Sequence, residues 1–143
     1  MTRLFPTTLL LTLALVTSGC GKSEAEQQMS DMTAKQREIV SVLKDVKDVD
    51  SAKAANVKVK AIATDIQKIL ERSKDTKTSQ EEQKRILDKY KPQQQEITKE
   101  AQAELQRISQ IPGASMELME GFMAVSAAGM RAGAGAGAGA APK

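Results

Sequence analysis

The chain has 143 residues, with 21 Lys+Arg against 18 Asp+Glu, no His, one Cys, no Trp, one Tyr and two Phe. That length suits a single domain. Without His the chain lacks the commonest general base and transition-metal ligand, and a lone Cys excludes an internal disulfide and every multi-cysteine metal site, so composition points away from an enzyme and from a cofactor protein.

Residues 1–19 read as a signal peptide. Arg3 supplies a positive start, and residues 4–16 form a mainly apolar run, long enough for a secretory signal but short of the ~20 residues that cross a bilayer as a helix. Thr17-Ser18-Gly19-Cys20 closes the run. Small residues directly before a lone Cys resemble the lipobox of bacterial lipoproteins, although Thr17 stands where that family usually has Leu. The resemblance covers only the first 20 residues. It implies a diacylglyceryl group on the Cys20 thiol, cleavage just before it, and a lipidated tether at residues 20–22. The implied location is the cell envelope, facing the periplasm, with membrane attachment through Cys20. Gly21, where an Asp would favour inner-membrane retention in many Gram-negative bacteria, favours the outer membrane over the inner by the same resemblance. An unpaired thiol in an oxidising compartment would be a liability, which also favours a modified Cys20. Gly21-Lys22-Ser23 looks like the end of a phosphate-binding loop, but Val16 occupies the place of its first Gly and no strand precedes it.

Residues 23–112 read as an all-α bundle. Between 23 and 110 there is no Gly and one Pro, and strong helix formers dominate. The first predicted helix covers about 23–49, with Met32, Ile39, Val42, Val46 and Val49 in an a/d seam that Met29 and Leu43 widen. Asp50-Ser51 interrupts it and offers a cap. The second covers about 51–73, where Ala52, Ala55, Val59, Ile62, Ile66 and Ile69 repeat at 3-4-3-4-3 and Ala63 and Leu70 flank the stripe. Residues 74–78 read as a loop, and Ser79 with Glu82 as a capping box. The third helix runs to about Ser109 on Ile86, Leu87, Tyr90, Ile97, Ala101, Leu105 and Ile108, with Gln94 in the seam. Pro92 predicts a kink or a short break there. Residues 23–50 carry four basic and seven acidic side chains, and residues 51–77 seven and three. That opposition favours pairing of the first two helices. The expected fold is an antiparallel three-helix bundle, or a helical hairpin plus a kinked third helix, with helices of roughly 30–45 Å.

Ile111-Pro112-Gly113 ends the third helix. Residues 113–130 follow as a short, Met-rich apolar helix in which Leu118, Met119, Phe122, Met123 and Val125 cover a broad face, and Gly121 is expected to weaken it. The three long stripes already give one another partners, so this segment is expected to add contact rather than basic stability. Residues 131–143, alternating Gly and Ala, read as a flexible tail.

No constellation of catalytic type stands out. Asp45, Asp48 and Asp50 lack the Gly turn and terminal Glu of a calcium loop. Met116, Met119 and Met123 share a helical face and are of a type that can hold Cu(I), but Met interleaved with Leu118 and Phe122 is more simply an apolar contact surface. No metal site and no cofactor is therefore expected. Nucleic acid is excluded as a partner by scattered basic residues and scarce aromatics. The expected role is a lipid-anchored envelope protein with a structural or partner-binding function. Met116, Met119, Phe122 and Met123 are the candidate contact to an envelope protein partner. The alternative is a periplasmic carrier or chaperone using the same segment as its apolar surface.

Overall fold

The computed structural model describes residues 22–133, with side chains to residue 130. Four helices follow one another: α1 (Glu24–Lys44), α2 (Val49–Ser73), α3 (Gln80–Ser109) and α4 (Ala114–Gly133), and no strand occurs among the described residues. The protein is all-α, a helical bundle. The signal, the tether residues 20 and 21 and the tail from residue 134 lie outside the described residues.

Each of the first three helices starts on a side-chain cap. Ser23 and Ser79 accept from the amides of Glu26 and Glu82, at 3.3 and 3.2 Å. The cap of α2 is not Asp50-Ser51 but Asp48. Its carboxylate accepts from the Ser51 amide at 2.8 Å, while the Asp48 amide donates to Ser51 Oγ at 2.9 Å. This reciprocal pair ends α1 early, at Lys44, and starts α2 at Val49. Val46, expected in the first helix, therefore sits in the connection and is fully buried there. α3 is one helix through Pro92, without the predicted break. Pro92 and Asp88, whose carbonyl loses its donor, are both exposed, so water can satisfy that carbonyl.

α1 and α2 form the expected antiparallel hairpin, with Lys35 bridging to Asp65 at 3.0 Å and Gln28 Nε2 donating to Thr76 at 2.9 Å. Net charge does not organise it. The one α1–α2 ion pair among the described residues puts the cation on the acidic helix. The other α1 ion pairs that leave the helix reach α3. Glu26 binds Arg85 and Lys89, Arg37 lies 4.0 Å from Glu96, and Lys44 Nζ is 2.6 Å from Glu100.

Those partners advance together along both chains, so α3 runs parallel to α1. It packs on α1 and not across the hairpin; α2 and α3 have no packing contact. α2 is covered instead by α4, which also runs parallel to its partner. Gly113 lies beside Val49, Gly121 beside Asn56 and Val59, and Glu120 beside Lys60. The expectation that residues 23–112 complete the bundle is thus corrected. The stripe of α2 has two sides to bury, α1 covers one, and α4 covers the other. Ala114, Leu118 and Ala128 belong to the same core cluster as Leu43, Val46, Val59 and Ile108. α3 and α4 meet only weakly, and at Gly113 the backbone takes φ +83°, open to glycine at little strain. Ile86, Tyr90 and Ile97 are buried further along α3, outside that cluster. Leu87 and Leu105, predicted in the α3 stripe, are exposed.

Candidate functional site

α4 has two sides of different chemistry. Its inner side is mostly small: Ala114, Gly121 and Ala128 are buried, with Leu118 the one large residue that is wholly enclosed. Small residues here meet Ala52 and Ala55 of α2 in the same cluster, which lets the two helices approach closely. At Gly121 an added Cβ would lie 2.6 Å from Asn56 Oδ1 and 3.1 Å from Val59 Cγ1. The glycine that seemed to weaken the helix is a point of close approach between α4 and α2. Among the described residues Asn56 Oδ1 is buried without a hydrogen-bond donor, and it faces Gly121.

The outer side carries the methionines. Met116, Met119, Met123 and Met130 are 76%, 57%, 64% and 70% exposed. Three of the four predicted contact residues therefore share the solvent face. Phe122, the fourth, is half-buried and packs against the core, so it belongs to the edge of the face rather than its centre. The outer side holds one anchored charge. Lys60 Nζ stands 2.6 Å from Glu120, and Lys60 first, Asn56 less, hold the Glu120 carboxyl below the ordinary carboxylate range. Cys20, the predicted lipidation site, lies outside the described residues. The Lys22 ammonium donates to Ser30 Oγ at 2.9 Å, which lays that side chain along the first turns of α1.

Two residues that the sequence did not single out tie α3 to α1. Arg107 donates to the carbonyls of Val46 and Leu43 at 2.6 and 2.9 Å, capping the open C-terminal end of α1. Glu26 is buried, and hydrogen bonding from Lys89 chiefly, with the Arg85 charge adding, keeps its carboxyl below the ordinary value. Ser23 and Glu26 have the spacing of a capping box, a local signal; the turn of Glu26 toward α3 is a tertiary choice.

Other concavities offer less. A cleft of about 370 Å³ between α1 and α3 is lined by Arg37, Lys44, Glu96 and Glu100, all engaged in ion pairs across it. An apolar cleft of about 240 Å³ lies between Ala25, Met29, Ile86 and Leu87. Among the described residues no three His, Cys, Asp or Glu side chains are grouped as metal ligands, and no helix is long and apolar enough to cross a membrane. No known protein family, curated protein or solved structure matches the chain.

Proposed function

We propose that the protein is a lipid-anchored helical module of the bacterial cell envelope, attached through Cys20 and acting by contact with a protein partner. The observation that carries the contact role is the line of exposed methionines on a helix whose other side lies in the core. Such a helix is held rigid by the bundle, so its outer face is presented in a fixed geometry at no further ordering cost. The anchor rests on the small residues before Cys20. Two or three acyl chains would hold the chain firmly, since each buried methylene contributes about 0.8 kcal/mol. Three residues separate Cys20 from α1, a reach of roughly 10 Å. The end of the bundle where α1 begins would then sit against the bilayer. The alternative, a carrier or chaperone, would use the same exposed methionines of α4 as its apolar surface.

The test is metabolic labelling with a palmitate analogue, followed by fractionation. The wild-type chain should take up label and sediment with membranes, and Cys20→Ala should do neither after a salt wash. A Cys20→Ala protein that stays membrane-bound, or an unlabelled wild type, would remove the anchor.

A further inference from the structure

The methionines of the described residues fall into two environments. Met29 and Met32, on α1, are half-buried. Met32 packs against the core, and the Met29 sulfur accepts from Gln94 Nε2 at 3.4 Å. Met116, Met119, Met123 and Met130 stand on the outer side of α4 at 76%, 57%, 64% and 70% exposure. The packing of α4 does not use them, because Ala114, Leu118, Gly121 and Ala128 close its other side.

Composition deepens the contrast. The chain has no His and no Trp, its one Tyr is the buried Tyr90, and its one Cys is Cys20. Thiols and thioethers are the side chains that two-electron oxidants take first. Residues 22–130 hold no thiol and six thioethers, and the four most open share one helix.

We propose that the outer side of α4 is a site of reversible oxidation by hypohalous acid. The sulfur lone pair takes the halogen, and hydroxide leaves. Water then adds to the halosulfonium sulfur, halide departs and two protons are lost. Sulfur gives up two electrons, the halogen gains them, and the new S–O bond carries oxygen from water. A methionine sulfoxide reductase reverses the change: a dithiol gives up two electrons to become a disulfide, and the oxygen leaves as water.

The two environments give this chemistry opposite consequences. At Met32 a sulfoxide would put a dipole against the core and disrupt packing. On α4 it meets solvent and no core contact is lost. The bundle therefore survives, and four conversions on one helix turn its outer side from apolar to polar. A partner held there by apolar contact would be released. That consequence rests on the contact role proposed above; the oxidation does not.

Titration of the purified full chain with hypochlorous acid, followed by peptide mass spectrometry, tests the site. In the folded chain the four α4 methionines should each gain one oxygen about tenfold or more faster than Met29 and Met32, and guanidinium should erase the difference. Helical circular dichroism should hold while α4 is converted, and retention on an apolar resin should fall. Sulfoxide reductases of both epimer specificities, with a dithiol, should restore retention. A chain carrying Met116→Leu, Met119→Leu, Met123→Leu and Met130→Leu should keep its helicity and its retention under the same dose. Comparable rates at all six methionines of the folded chain overturn the proposal. So do unfolding that accompanies α4 oxidation, sulfoxides that the reductases leave in place, or an equal loss of retention in the leucine variant. None of these readouts involves a partner, so failure of the contact role would leave them unchanged.

Discussion

Glu26 shows how one side chain can belong to two levels of structure. It stands three residues after the Ser23 cap, where a Glu ordinarily serves its own helix end. Here its carboxylate instead faces Arg85 and Lys89 of α3 and is buried by them. Lys89 first, and Arg85 with it, offset the cost of enclosing that charge. Its folded-state pKa is lowered, so its contribution to stability is complete above the unfolded-state pKa and is lost as pH falls through the folded value. Thermal melts taken from neutral pH down through the carboxylate range should show the wild type losing stability more steeply than Glu26→Gln. The two curves should converge at the acid end, where Glu26 too is neutral. Parallel curves would mean that the ion pair contributes nothing to folding. Arg107 acts at the opposite end of the same interface, closing the carbonyls that α1 leaves open when Asp48 and Ser51 stop it at Lys44.

At the scale of the element, α4 is decided by two of its glycines. Gly121 and Gly129 look alike in the sequence, and both lower helix propensity by roughly 1 kcal/mol relative to Ala. Their surroundings differ. A side chain at Gly121 must displace Asn56 and press on Val59, whereas among the described residues nothing lies within 4 Å of a Cβ at Gly129. The Asn56 amide can swing away, but Val59 is β-branched and stiff at χ1. Gly121→Val should therefore destabilise by about 1–3 kcal/mol through overpacking. Gly129→Ala should stabilise by about 0.5–1 kcal/mol. Chemical denaturation of the two variants beside the wild type measures both. Equal and small effects would mean that α4 does not approach α2 as closely as the geometry has it. α3 gives the complementary case. Pro92 lies within an unbroken helix because the carbonyl it orphans faces water, a circumstance that depends on which side of α3 meets α1.

The whole molecule is a hairpin covered on both sides, α3 on α1 and α4 on α2, with the four helices sharing a core near the α1–α2 and α3–α4 turns. Its stability should fail as a unit if either cover is removed. Ending the chain after Pro112 deletes Ala114, Leu118 and Ala128 from the core and uncovers one side of the α2 stripe. Losing one enclosed leucine costs ~2–5 kcal/mol, against a total of ~5–15 kcal/mol for a domain. The truncated chain should show residual helicity, a broad non-cooperative melt and dye binding to exposed apolar surface. A sharp melt near the wild-type temperature would instead make α4 an accessory to a self-sufficient three-helix unit.

Helix content, helix order and the seam of α2 followed from the sequence alone. Periodicity and propensity act over neighbouring residues, so Ala52, Ala55, Val59, Ile62, Ile66 and Ile69 declare their face without reference to the rest of the chain, and all are buried. Small residues before Cys20 and the row of Met in α4 were equally visible, because both are local patterns. Which helices touch was not. Four apolar stripes can pair in several ways, and the choice of α3 for α1 rests on Arg107, Glu26, Lys89 and Glu100 meeting partners some 56–64 residues away in sequence. The same long-range choice turned Leu118 inward and Met119 outward, although they are adjacent and similarly apolar. Hydrophobicity ranks residues for burial, but only the packing of α4 on α2 through Gly121 determines which side of that helix is left for solvent and for contact.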